Sequence, residues 1–257
     1  MKKFLAMAMA MAMVLSLASC GKKEQAPVEN DGIKTVEAGK LIMSTNAQFP
    51  PYEMVADDGS VIGIDAEVAG LIAEKLGLEL VIDDMDFDGC LLAVQNGKSD
   101  IAMAGITVDD EREKVMDFST SYANGVQVII VKEGSGVTVD NFGEKMIGVQ
   151  RGTTGDIFCT DDFGTEHVTT YDDAAVAVQM LLNGQIDSVV IDNEPAKNYV
   201  ATNEGLAILD TEYANENYAI GVNEGNTQLL EAVNNALAEL TESGALQEVI
   251  EKYIPSK

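Results

Sequence analysis

The run Asp100-Ile101-Ala102-Met103-Ala104-Gly105-Ile106-Thr107 constrains the fold most, because a short, almost wholly apolar stretch is a buried strand, and this one breaks at a glycine into hydroxyl and charge. Such strands belong to α/β sheets, and the residues after Gly105 are suited to hold an anion. Gly105 lets a ligand approach the backbone, Thr107 offers a hydroxyl, and Asp109 or Asp110 can cap a short acidic helix that presents Arg112. Arginine is the side chain for planar, two-pronged recognition of a carboxylate, so the segment reads as a carboxylate receptor.

The chain has only two arginines, Arg112 and Arg151, and both follow an apolar run that gives way to glycine and threonine. For Arg151, in Ile147-Gly148-Val149-Gln150-Arg151-Gly152-Thr153-Thr154-Gly155, the plainer reading stands, in which a surface cation balances nearby acids.

Apolar runs and helical periodicities alternate along the chain. Leu41–Thr45 is a strand that ends in Asn46-Ala47-Gln48-Phe49-Pro50-Pro51-Tyr52-Glu53, where adjacent prolines forbid helix. Phe49 and Tyr52 either pack that loop or line a ligand pocket, since pockets form at the ends of strands in open α/β sheets. Asp57-Asp58-Gly59 is a turn; Val68, Leu71, Ile72 and Leu76 share one face of a helix that stops at Gly77, and Leu78–Ile82 is the next strand. Asp84-Met85-Asp86-Phe87-Asp88-Gly89 begins like a calcium loop, but Gln95 stands where that loop needs a bidentate glutamate. Asp88 is therefore expected to cap a helix over Gly89–Asn96, with Phe87 projecting beside Phe49.

A second unit repeats this logic. Val126–Val131 and Met146–Val149 are strands, and the loop Gly152–Gly155 opens a helix whose free N–H groups, with Thr153 and Thr154, suit an anion. After a helix over Ala174–Leu182, the strand Ser188–Ile191 delivers Asp192, which either caps the following helix or takes an ammonium group. A last strand, Tyr218–Val222, precedes helices over Thr227–Leu240 and Ala245–Tyr253. The sole histidine, His167, lies in a polar loop.

The N-terminus reads as a targeting device. Lys2 and Lys3 precede an apolar run, Phe4–Leu17, too short to span a bilayer comfortably, and Leu17-Ala18-Ser19-Cys20 comes next. The 257 residues thus divide into a signal segment at 1–19, a polar tether at 20–39 and enough chain for one large or two moderate domains. The formal charge of −27, made more negative by loss of Lys2 and Lys3, repels nucleic acid and favours a soluble monomer. Cys90 and Cys159 read as buried thiols; no metal-ligand set, cofactor motif or Ser–His or Cys–His pair appears.

In order, Phe49-Pro50-Pro51-Tyr52-Glu53, Gly63-Ile64-Asp65-Ala66-Glu67, Met85-Asp86-Phe87-Asp88-Gly89, Ala104-Gly105-Ile106-Thr107 with Glu111-Arg112, Gly152-Thr153-Thr154-Gly155 and Val190-Ile191-Asp192 with Pro195 resemble the extracytoplasmic solute-binding proteins of polar amino acid ABC transporters (family 3). Leu17-Ala18-Ser19-Cys20 likewise resembles a bacterial lipobox, with Ser19 where glycine or alanine is usual, which implies a lipid on Cys20. The resemblance implies an α/β, two-lobed periplasmic-binding-protein-like fold (type II) with two crossover strands as hinge. Lobe 1 would comprise residues 40–124 plus 217–257 and lobe 2 residues 125–216. It implies that Arg112, Thr107 and the Thr154 backbone hold a free amino acid's carboxylate, and that Asp192 and the Gly105 carbonyl hold its ammonium. Phe49 and Phe87 would sandwich the side chain, and Asn46 and Gln150 would help choose it. The neutral Asn46 favours an uncharged polar amino acid, then a basic one, with an acidic one if Arg151 turns inward. The implied partner is the transporter's permease. An enzyme on the same scaffold, a dehydratase, and an amino-acid sensor are the competing classes.

Overall fold

The computed structural model describes residues 32–255, so residues 1–19, Cys20 and most of the tether lie outside the described residues. Its apolar runs form two separate sheets. The first orders its strands as Glu79–Asp84, Lys40–Thr45, Ile101–Ala102, Gly221–Asn223 and Met116–Phe118. Lys40–Thr45 lies parallel to both neighbours, and Gly221–Asn223 runs antiparallel to Ile101–Ala102 and Met116–Phe118 on its two sides. The second sheet orders Val168–Tyr171, Ile147–Gln150, Ser188–Asp192, Ala123–Lys132 and Leu206–Ile208, with Ala214–Tyr218 paired to one end of Ala123–Lys132.

Each sheet carries its own core. Helix Ile64–Leu76 packs Val68, Ile72 and Ala73 against Leu41, Met43 and Ile101, and is stopped by Gly77 in the left-handed conformation. Helices Thr227–Ser243 and Ala245–Tyr253 close the same core with Leu229, Val233, Leu237, Leu240 and Val249, the 3.6-residue stripe that their sequence spells. In the second lobe Ala174–Leu182 buries Ala177, Val178 and Leu181 against Ile130, Val189 and Ile191. The β-branched run Val128-Ile129-Ile130-Val131 is buried on both faces.

Two antiparallel segments, Ala123–Lys132 and Ala214–Tyr218, carry the chain between the lobes. The apolar run expected to make one strand over Tyr218–Val222 is in fact divided. Tyr218 pairs with Ala123 in the second lobe's ladder, whereas Gly221 pairs with Ala102 and Phe118 in the first. Ala219 and Ile220 make the change of sheet, and composition cannot register it because both sides are apolar.

Two further expectations are corrected. Asp86, not Asp88, caps the helix after the calcium-like run: its carboxylate accepts from Gly89 N at 2.8 Å and the helix spans Phe87–Gln95. The shift puts Phe87 in the first turn and frees Asp88 to lie against Gly152. The acidic helix expected after Asp109 is a single 3-10 turn, Arg112–Lys114, with Asp109 accepting from Glu111 N and Arg112 N at 2.9 Å each. The C-terminal part of the tether is docked: Val36 N donates to Asp100 at 2.7 Å, and Ile33 packs on the first core.

Candidate functional site

The carboxyl ends of strands from both lobes face one narrow cavity between them. Short apolar strands end there because the segments after them are glycine-, threonine- and aspartate-rich, and those residues turn the chain and leave polar groups facing inward.

From the first lobe comes Arg112, 7 % exposed. Its Nη1 donates to Thr107 O at 2.7 Å, its Nε lies 3.3 Å from Asp109 Oδ2, and its guanidinium sits 5.4 Å from the centre of the Phe87 ring. Burial pushes its pKa down, and Asp109 opposes that as its nearest counter-charge. These contacts hold the guanidinium as a fixed fork rather than a mobile charge. Nη2 donates across the cleft to Gly152 O at 3.0 Å, so the lobes are closed on each other.

From the second lobe comes Asp192, fully buried at the tip of Ser188–Asp192. The helix-cap reading holds, and the residue also faces the cavity. Its Oδ1 caps the helix Asn193–Thr202 through Glu194 N at 2.9 Å, and the same side chain lines the cavity. Oδ2 accepts from Val126 N at 3.0 Å and from the Tyr218 hydroxyl at 2.7 Å. Burial outweighs these donors and raises its pKa to about 6.

The walls are Phe49 and Phe87. Phe49 stacks on Tyr52, with centroids 5.5 Å apart, and its ring lies over Gly105, where the positive φ of 54° turns the strand end into the pocket. Tyr52 itself does not line the cavity. It is buried beneath Phe49 and edge-on to Tyr218, which assigns it the loop-packing alternative. Gly105 N donates to the buried Asp65 at 3.1 Å, and Asp65 also accepts from the Tyr122 hydroxyl at 2.7 Å.

Thr153 caps the helix Thr154–Phe163 and donates to Gln150 O at 2.8 Å, so the start of that helix, with Thr154, opens onto the cavity. Asn46 and Gln150 line it as well, but bond to each other across the lobes, Gln150 Nε2 donating to Asn46 Oδ1 at 2.9 Å. Arg151 points away: its side chain is 51 % exposed and pairs with Asp172 at 3.0 Å. Cys90 and Cys159 are buried free thiols in different lobes. The aspartates of the calcium-like run are spent separately, Asp84 accepting from Ala47 N, Asp86 capping its helix and Asp88 lying against Gly152.

Seven lining residues escaped the sequence reading. Three of them, Gln127, Glu216 and Tyr218, sit on the crossover segments. Gln127 Nε2 donates to Glu216 Oε2 at 2.8 Å, and the Tyr218 hydroxyl lies 3.3 Å from the same oxygen. A lone glutamine inside the β-branched run after Gly125, and an acid two residues before a tyrosine, so on the same face of a strand, were the available signals.

A cleft between two α/β lobes, closed by residues from both and crossed by two connecting strands, defines a ligand-enclosing binding protein. The chain belongs to the bacterial extracellular solute-binding proteins, family 3, whose model matches residues 41–256. It is 33 % identical over 224 residues to the L-cystine-binding protein TcyJ of Escherichia coli (strain K12), covering 86 % of this chain and 84 % of that one. Among solved structures, a mutant of ArgBP from T. maritima superposes with a TM-score of 0.80 at 38 % identity, covering 85 % of this chain and 96 % of that one. An ancestral arginine-binding protein bound to glutamine superposes with a TM-score of 0.81 at 36 % identity, covering 86 % of this chain and all of that one.

Proposed function

We propose that this chain binds a free amino acid in the cleft and delivers it, unchanged, to the permease of an ABC transporter. The observation that carries the reading is the pairing of a buried arginine from one lobe with a buried aspartate from the other on one cavity. Arg112 takes the α-carboxylate, aided by Thr107 and the helix start at Thr153 and Thr154, while Asp192 and the Gly105 carbonyl take the α-ammonium. Only a closed cleft offers both contacts, so a zwitterion stabilises closure through its differential affinity for that state. Phe49 and Phe87 flank the ligand side chain, and Asn46 with Gln150 bounds its far end.

The lobe boundaries near residues 124 and 217, a lipid anchor on Cys20 and action as a monomer complete the proposal. The binding function of the named relatives and the signal-like N-terminus support it. Among the described residues no helix is long and apolar enough to cross a membrane.

The test is a thermal-shift screen against the twenty amino acids. A true ligand at a hundred times its Kd adds about 2.7 kcal/mol and raises the melting temperature by a few degrees. Absence of any response, or a response that persists unchanged in Arg112→Ala, would sink the reading.

A further inference from the structure

The cavity's charges do not balance for a neutral amino acid. Arg112 is the only cation among its lining residues, against Asp192, Glu216 and Glu53. Burial first, and then the adjacent Asp65, raise the pKa of Glu53, which disfavours its charged form. Asp109, 3.3 Å from Arg112, already offsets part of the one positive charge. A zwitterion satisfies Arg112 with its carboxylate and Asp192 with its ammonium. Glu216 is then left over.

Glu216 is 4 % exposed, and its two oxygens differ. Oε2 is held by Gln127 and lies near the Tyr218 hydroxyl, which fixes the carboxylate in place. Oε1 is buried and has no hydrogen-bond partner among the described residues. Asp192, by contrast, already accepts three hydrogen bonds. A buried carboxylate with an open oxygen is costly unless a donor, best a charged one, comes to it.

We infer that the site is selective for an amino acid with a cationic side chain, and that Glu216 supplies the counter-charge. The inference rests on the amino-acid reading above and narrows it. It also reverses the order that the neutral Asn46 suggested: the acid is present, but it comes from the second crossover strand instead of the end of the first strand. Asn46, bonded to Gln150 and to Met85 O, is already occupied. The aromatic walls suit the apolar stem of a lysine or arginine, whose charged end then reaches the carboxylate.

Isothermal titration of arginine, lysine, glutamine and citrulline, the uncharged isostere of arginine, into wild-type protein and Glu216→Gln tests this. Arginine or lysine should bind wild type at least ~10-fold tighter than citrulline or glutamine, and Glu216→Gln should erase that ratio while leaving citrulline within about threefold. Equal binding of arginine and citrulline by wild type overturns the inference and leaves the amino-acid reading intact. A uniform loss for all four ligands in Glu216→Gln also overturns it, since that result places Glu216 on the ammonium shared with Asp192. Failure of all four ligands to bind wild type overturns the inference, while the amino-acid reading stands or falls separately on the twenty-amino-acid screen. The wild-type ratio decides the matter even if the variant folds poorly.

Discussion

The two arginines of this chain occupy nearly the same local sequence and have opposite fates. Arg112 follows Ala104-Gly105-Ile106-Thr107 and is buried against Phe87, with its guanidinium fixed by Thr107 O, Gly152 O and Asp109. Arg151 precedes Gly152-Thr153-Thr154 and lies half-exposed beside Asp172. The difference arises from direction along the chain. Arg112 comes five residues after Thr107, on a 3-10 turn that folds back over the cleft, whereas Arg151 is the first residue beyond the strand Ile147–Gln150. Alternation along that strand puts Gln150 into the cavity and so puts Arg151 outside. On the proposed reading, a Gly/Thr-rich loop beside an arginine is half of a carboxylate site. The other half is burial.

Breaking the buried member should have the largest effect. Arg112→Ala removes the fork and leaves Asp109 without its partner, so amino-acid affinity should fall at least ~100-fold, about 3 kcal/mol, measured by calorimetry. Arg112→Lys keeps the charge without the two-pronged geometry and should recover only part of the loss. Restoration of full affinity by lysine would show that charge alone suffices.

Its partner across the cleft sharpens the contrast, because Asp192 titrates near neutrality and the guanidinium does not. Its pKa is raised from 3.8 to about 6, with burial the main cause and Glu216 adding to it, so the folded, ligand-free chain holds the proton more tightly than the unfolded chain. By linkage, this group's contribution to stability is greatest at low pH and declines as pH rises from about 4 through about 6. Ligand binding runs the other way: an ammonium group needs the carboxylate, so affinity should weaken by up to about tenfold per pH unit below pH 6. Calorimetric Kd values at pH 7.5 and 5 in wild type and Asp192→Asn test this. The variant should bind ~10- to 100-fold more weakly at pH 7.5 and lose the slope; an unchanged slope would assign it to Asp65, also raised to about 6.

How much the sequence made legible is explained by the same contrast. Arg112, Thr107 and Asp192 could be read because each lies just past a run whose apolar character announces a strand end. Lobe cores were legible for the same reason, as in the stripe Leu229, Val233, Leu237 and Leu240. Gln127, Glu216 and Tyr218 were not, because they lie within crossover strands, where a side chain's role depends on how two lobes meet. Tyr52 shows the reverse failure. Its loop and spacing match those of Phe49, yet Phe49 meets the cavity while Tyr52 is covered by it, a layering that only packing against Tyr218 decides. The cap on the second helix was misread from Asp88 to Asp86 because three aspartates at alternate positions offer equivalent local chemistry, and Gly89 N selects among them.

The glycines beside the two arginines extend the comparison to backbone. Gly105 and Gly152 have φ of 54° and 73°, so alanine at either costs about 1–2 kcal/mol in the left-handed region. At Gly105 a new Cβ would also meet Phe49 Cε1 at 2.7 Å, and that ring is held against Tyr52. At Gly152 the obstacle is the carboxylate of Asp88, the end of a side chain that can swing away. Gly105→Ala should therefore lower the denaturation midpoint more than Gly152→Ala. Equal shifts in urea titrations would mean that the Phe49 ring yields as readily as the Asp88 carboxylate.

The smallest effect belongs to Arg151→Ala. Its guanidinium and Asp172 form an ion pair open to solvent, whose attraction is offset by side-chain entropy and screened by salt. Removing it should leave ligand affinity unchanged within error and move the melting temperature by about a degree at most, with any difference vanishing as salt is raised. A clear loss of affinity would mean that Arg151 reaches the ligand in solution, which would reopen the route to an acidic side chain. Asp172 opposes that outcome, because its carboxylate accepts from Arg151 Nε at 3.0 Å and holds the guanidinium outside the cavity.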